Sequence, residues 1–439
     1  MNMLRVNQNI SGGSGENDDP GEACMRSGAA RCVWTLIVLC LALSGATARA
    51  QDTARYVLGM SAAFTGSSDG LGVELYRGSM AYFNYLNERG GINGKPVSIR
   101  ILDDGYQPGP AIDNTIEFLR GEEPLCLFNY VGTPTVTRIL PLLKGYSGRR
   151  KLLFFPFSGA EPQRESPYGR YVFNLRASYR RELAGLVDRF LRLNRKRLAV
   201  FYQADAFGRS GWDGAHRALK SRGFNLVGEA TYRRGARFGE SMKRQVEILM
   251  RANPDAVLSI GSYAACAAFI RDARDMGLEA PIANVSFVGS EKLLQLLLDV
   301  GRMRGRDYTA NLVNSQVVPS YEDLSLPAVR EYRDLMDRYA PEAPELSDRD
   351  YAPLRYSFTS FEGFLNAKAM ARILEAYDSA PEQGLGAAAE SIREADIGID
   401  VPMRFGPDRH QGVDRVYFTI FRDGRFVPMD EGQWRAWQL

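Results

Sequence analysis

Short apolar runs alternate along the chain with longer stretches whose apolar residues recur at helical spacing. Tyr56–Ser61 reads as a strand, followed by a Gly-Ser-Ser-Asp-Gly turn and a helix over about Val73–Glu88. Val97–Leu102 then predicts a strand and Pro110–Leu119 a helix; Leu125–Tyr130 a strand and Thr135–Leu143 a helix. Leu152–Phe155 and Tyr171–Leu175 read as further strands. After residue 195 the rhythm resumes: Arg197–Tyr202 before Ser210–Ser221, Asn225–Thr231 before Gly239–Ala252, Ala256–Ile260 before Tyr263–Met276, and Pro281–Val285 before Glu291–Val300. Alternation at this spacing predicts an α/β protein with two doubly wound parallel sheets, each covered by helices on both faces. Residues 340–353, rich in Pro, Asp and Glu, read as a surface loop. Asp396–Asp408 and Arg415–Pro428 read as short strands, the latter with a turn at Asp423-Gly424.

The first 50 residues follow a different pattern. Val33–Leu43 is the strongest apolar run, too short to span a bilayer and suited to the core of a secretory signal peptide. Arg26 and Arg31 precede it, and Ala48-Arg49-Ala50 places small residues at −3 and −1 of a cut before Gln51. Residues 1–24 are polar and acidic, and Met25 reads as the natural start of that peptide. Three of the five cysteines lie in this leader; Cys126 and Cys266 remain, each in an apolar context that predicts a buried free thiol, with a disulfide between them the alternative in an exported chain.

Composition is that of a globular chain: 439 residues, 45% hydrophobic, 24% charged, with 55 basic against 52 acidic residues. The near balance of charge gives no nucleic-acid footprint. His216 and His410 are the only histidines, and neither stands at metal-ligand spacing. Asp103-Asp104 are neighbours on a strand, so their side chains face opposite ways. The sequence thus predicts no catalytic residue, metal or cofactor, and a protein that is not an enzyme. In doubly wound sheets ligands bind beyond the carboxyl ends of the strands. The informative loops are therefore Phe64–Leu71, Val131–Thr135, Phe157–Glu161, Gln203–Gly208, Gly261–Tyr263 and Ser286–Ser290.

Ordered landmarks in these loops carry a resemblance. Phe64-Thr65-Gly66 follows the first strand, and Gly90-Gly91-Ile92-Asn93-Gly94-Lys95-Pro96 follows the first helix. Asp103-Asp104 closes the second strand, and Val131-Gly132-Thr133-Pro134-Thr135 follows the third. Phe207-Gly208 opens one helix, and Arg271-Asp272-Ala273-Arg274-Asp275-Met276-Gly277 closes another. Over roughly residues 55–430 the chain resembles the type I periplasmic solute-binding proteins of the leucine/isoleucine/valine class.

The resemblance implies two lobes joined by a three-crossing hinge near Arg176, Ser320 and Arg404: residues 51–176 with 320–403, and 177–319 with 404–439. It implies a small solute trapped by hinge closure, a periplasmic location, a monomer, and an inner-membrane ABC permease as partner. A ligand sensor serving a membrane signalling receptor is the alternative. The ligand-binding residues it implies are Thr133, Pro134 and Thr135; Ser158, Gly159 and Ala160; Leu71; and from the second lobe Phe207 and Tyr263. Thr135 is also expected to cap the helix that follows. Ser286 stands where amino-acid binders of the class carry a carboxylate for the ligand ammonium, and Asp205 is the substitute from the neighbouring loop, with Glu161 a weaker one. If neither serves, the solute is an amine-free acid or an amide.

Overall fold

The computed structural model describes residues 55–146 and 151–439; the leader, its cut site and the start at Met25 lie outside the described residues. The first part of the chain runs β1 (Tyr56–Ala62), α1 (Asp69–Glu88), β2 (Val97–Asp103), α2 (Pro108–Arg120), β3 (Cys126–Phe128), α3 (Thr133–Gly145), β4 (Leu153–Phe154) and β5 (Val172–Phe173). These strands form one parallel sheet of order β2-β1-β3-β4-β5.

The second part runs α4 (Tyr179–Arg192), β6 (Leu198–Gln203), α5 (Ala206–Lys220), β7 (Gly228–Tyr232), α6 (Lys243–Arg251), β8 (Ala256–Ile260), α7 (Tyr263–Asp275), β9 (Ile282–Asn284), α8 (Ser290–Arg304) and β10 (Leu312–Gln316). The chain then returns with α9 (Pro327–Tyr339), α10 (Phe358–Ser379) and α11 (Gly384–Glu390), of which α9 and α10 pack on α1. It ends with β11 (Tyr417–Arg422), β12 (Arg425–Pro428) and α12 (Glu431–Arg435) in the second lobe. The second sheet has the order β12-β11-β10-β9-β8-β6-β7. Its edge is antiparallel, because β11 and β12 form a hairpin turned at Asp423-Gly424. The predicted all-parallel pattern therefore holds for β6–β10 and stops where that hairpin is added. Residues 174–178, 317–326 and 391–416 connect the elements of the first part to those of the second.

One expected strand is corrected. Asp396–Asp408 forms no strand and makes only isolated bridges, Ala395 with Met403 and Gly406 with Arg409. Gly398, Pro402 and Pro407 break any ladder there. Helices α1, α3 and α5 begin a half to one turn earlier than their apolar spacing suggested.

The first lobe is held by a close helix crossing. A Cβ on Gly78 of α1 would lie 1.7 Å from the Ser360 carbonyl oxygen of α10, and one on Gly363 would lie 2.1 Å from that of Leu75. Only glycine permits this backbone approach. In the second lobe α7 is buried from Tyr263 to Arg274 and packs against α6 and α8. Cys126 and Cys266 are buried free thiols.

Candidate functional site

All six loops singled out above lie at the carboxyl ends of strands, and the two lobes meet there. At the start of α3, Thr133 is fully buried and its Oγ1 lies 2.8 Å from Ser158 Oγ and 3.5 Å from the Tyr179 hydroxyl. Tyr179 begins α4 across the hinge, and its ring occupies the space that a Cβ on Gly159 would need. It packs at 5.1 Å on Phe207 of α5. Phe287 closes the group: its ring centroid lies 4.5 Å from Phe207, 5.3 Å from Phe157 and 5.9 Å from Tyr106. Five buried rings from both lobes thus form one cluster, joined to that hydroxyl pair through Tyr179.

A second group meets nearer the mouth. Tyr263, the first residue of α7, donates its hydroxyl to Asp69 Oδ1 at 2.5 Å and accepts from the Gly70 amide at 3.3 Å. Leu71 and Tyr263 both lie against Gly289. Burial raises the Asp69 carboxyl above its ordinary range. The 340–354 loop spans the same rim. Its Asp348 accepts from the Gly66 amide, Tyr351 donates to Glu74, and Lys292 of α8 donates to the Ala352 carbonyl at 3.0 Å with its ammonium 4.0 Å above the Tyr351 ring. On the opposite rim Arg180 of α4 pairs with Glu165 and Asp213, and lies 3.8 Å from Glu161. A cavity of about 260 Å³ opens there, lined by Thr133, Ala160, Glu161, Arg180, Arg209 and Asp213 among others.

Of the residues expected from sequence, Thr133, Ser158, Gly159, Ala160 and Phe207 lie together in the inner group and its adjoining cavity, and Leu71 with Tyr263 in the outer one. Pro134 is buried as the second residue of α3. Thr135 does not cap α3. The helix begins two residues earlier, with Gly132 (φ 101°) as its N-cap, and Thr135 Oγ1 turns back to the carbonyls of Val131 and Gly132. The Tyr106 ring packs directly on Gly132, where a Cβ would clash with it at 2.2 Å. Asp205 caps α5, accepting from the Phe207 amide and from Gln203 Nε2, with Arg234 3.4 Å away. Ser286 is buried and hydrogen-bonded to Glu182 and Arg176.

Sequence reasoning did not single out Asp69, Tyr106, Tyr179, Glu182, Gln203 or Phe287 for the site, and took Arg176 only as a hinge position. Tyr179 carried a usable signal, as the first helical residue after a strand with Ser178 as N-cap. Tyr106 carried none, since a left-handed residue (φ 61°) after Asp-Asp-Gly gives no hint of where its ring goes. Among the described residues no group of three or more His, Cys, Asp or Glu could hold a metal ion, and no helix is long and apolar enough to cross a membrane.

Two doubly wound lobes that meet at their strand ends define the class, and the comparisons agree with it. The family described as periplasmic binding protein matches residues 56–425, and the chain belongs to that family. Among solved structures it is similar to a "possible leucine/isoleucine/valine-binding protein" from Rhodopirellula baltica SH 1. The two share 28% identity over 87% of this chain and 98% of that one, with a TM-score of 0.77. A branched-chain amino acid ABC transporter protein from Thermus thermophilus with bound valine has the same fold at 17% identity, with a TM-score of 0.72 over 87% of this chain and 98% of that one. So does a fatty acid ABC transporter substrate-binding protein from Thermomonospora curvata, at 20% identity and a TM-score of 0.72 over 86% and 92%. No curated protein matches the chain.

Proposed function

We propose that the chain is the substrate-binding receptor of an ABC importer, which traps a small organic solute between its lobes and presents it to an inner-membrane permease. In this reading the protein works in the periplasm as a monomer and transforms nothing. The lobes are residues 51–176 with 320–403 and residues 177–319 with 404–439. The observation that supports the reading best is the Tyr263–Asp69 hydrogen bond beside the ring cluster. It joins the first turn of α1 in one lobe to the first residue of α7 in the other. A site built half from each lobe is complete only when the lobes close, which couples binding to shape. The ligand-binding residues we assign are Thr133, Ser158, Gly159, Ala160, Phe207, Tyr263, Leu71 and Ser286, with Pro134 holding the start of α3.

A thermal-shift screen of the purified protein against amino acids, aliphatic and aromatic acids and amides tests this reading. A solute that binds only the folded state raises the melting temperature by mass action. The expected result is a saturable shift, with contraction in small-angle scattering. Turnover of any such solute in proportion to protein would overturn the reading.

A further inference from the structure

The hinge segment between β5 and α4 carries a cation that the fold does not fully satisfy. The Arg176 side chain is 1% exposed, and its guanidinium lies 4.4 Å above the Phe157 ring of the inner group. Nη2 donates to Ser286 Oγ. Glu182 and Glu362 lie 3.9 and 3.7 Å away, as ion pairs beyond hydrogen-bond reach. Nε and Nη1 have no hydrogen-bond partner among the described residues. A buried guanidinium with two N–H-bearing nitrogens unmatched calls for an acceptor oxygen.

The carboxylates around the cleft are in the opposite condition. Glu182 accepts from the Ser286 amide at 2.8 Å, from Ser286 Oγ at 2.9 Å and from Ser315 Oγ at 2.6 Å. Asp69 is taken by Tyr263 and Gly70, and Asp205 by Gln203 and the Phe207 amide. Glu161 keeps one unmatched oxygen, but its other lies 3.8 Å from Arg180. Burial pushes Glu362 up to about 7, so near neutral pH it offsets the guanidinium only in part. An ammonium entering here would meet the Arg176 guanidinium beside two carboxylates already paired with it, with only the Glu161 oxygen left unmatched, at a high desolvation cost.

We infer that the cleft selects an amine-free organic acid with an apolar body, and that Arg176 sets this selectivity by donating Nε and Nη1 to the solute's acceptor oxygen. The inference rests on the receptor reading above. The five rings of Tyr106, Phe157, Tyr179, Phe207 and Phe287 supply the apolar surround, and the Thr133–Ser158 hydroxyl pair a second polar contact.

Calorimetry with matched pairs tests it: 4-methyl-2-oxopentanoate against leucine, and phenylpyruvate against phenylalanine. The expected result is at least tenfold tighter binding of one oxo acid than of its amino acid. Arg176→Gln should erase that preference, and Arg176→Lys should restore it only in part. Because Arg176→Gln also strips Glu182 of its cation and can fail to fold, the pair comparison on the unaltered protein decides by itself. Equal or tighter binding of the amino acid, with loss on Glu161→Gln or without it, overturns the inference and leaves the receptor reading standing. If neither pair binds, a solute captured from a metabolite extract decides: an amine-free acid supports the inference, and an amine or a neutral molecule overturns it. Capture of no solute at all overturns both.

Discussion

Tyr263 does two things at once: it fills the mouth of the cleft with its ring and ties the lobes with its hydroxyl. Tyr263→Phe keeps the ring and removes the bond to Asp69. A hydrogen bond to a charged group contributes about 1.5–3 kcal/mol, so solute affinity should fall roughly tenfold or more with little change in melting temperature. Calorimetry beside a thermal melt checks both halves, and a large loss of stability with unchanged affinity would move Tyr263 from the site to the core. Thr133 is the counterpart in the first lobe. Thr133→Ala should weaken binding by a similar factor, read by the same titration, because its hydroxyl faces Ser158 and Tyr179. Both residues were named from the resemblance and from loops at strand ends, Tyr263 at the start of a predicted helix and Thr133 two residues before one. Phe287 and Tyr106 were not. Their rings reach the site from a short 3-10 turn and from a left-handed residue, and periodicity says nothing about either.

At the scale of elements, nearly every strand and helix up to residue 300 could be read from alternation, because burial on both faces imposes apolar runs on the strands. What failed was local. Asp396–Asp408 has strand-like residues, but glycine and proline leave it no partner to pair with. The antiparallel hairpin was found while its place on the edge of the second sheet was not, because register with β10 is set by tertiary packing. Helix α10 has apolar residues all round, consistent with burial on most faces, so it shows no stripe to read. Its contact with α1 rests on Gly78 and Gly363. Gly78→Ala would press a methyl group into the Ser360 carbonyl. Overpacking of this kind costs about 1–3 kcal/mol or more, and the melting temperature should drop by several degrees. An unchanged melt would mean that the helices slide apart freely.

For the whole molecule, buried carboxyls bear on the response to pH, Asp104, Glu291 and Glu362 among them. Burial pushes Asp104, Glu291 and Glu362 each up to about 7. In the unfolded chain these groups lose their protons near 4, so between about 4 and 7 the native state holds more protons than the unfolded one. Stability therefore falls as pH rises through that window and levels off above it. Each group contributes up to about 1.4 kcal/mol per pH unit across its own interval. Melting temperatures taken from pH 5 to pH 8 should decline, and Glu362→Gln should flatten part of the slope; a rise over that range would contradict the assignment. The 340–354 loop bears on time rather than on equilibrium. It belongs to the first lobe through Gly66 and Glu74, yet it holds Lys292 of the second by a carbonyl and a ring. In the receptor reading, reopening must strip that ammonium from both partners, whereas a solute arriving at parted lobes meets no such barrier. Lys292→Ala should therefore shorten the bound lifetime in stopped-flow measurements and leave the association rate nearly unchanged. In an importer, that lifetime sets how long a loaded receptor can diffuse before it must find its membrane partner.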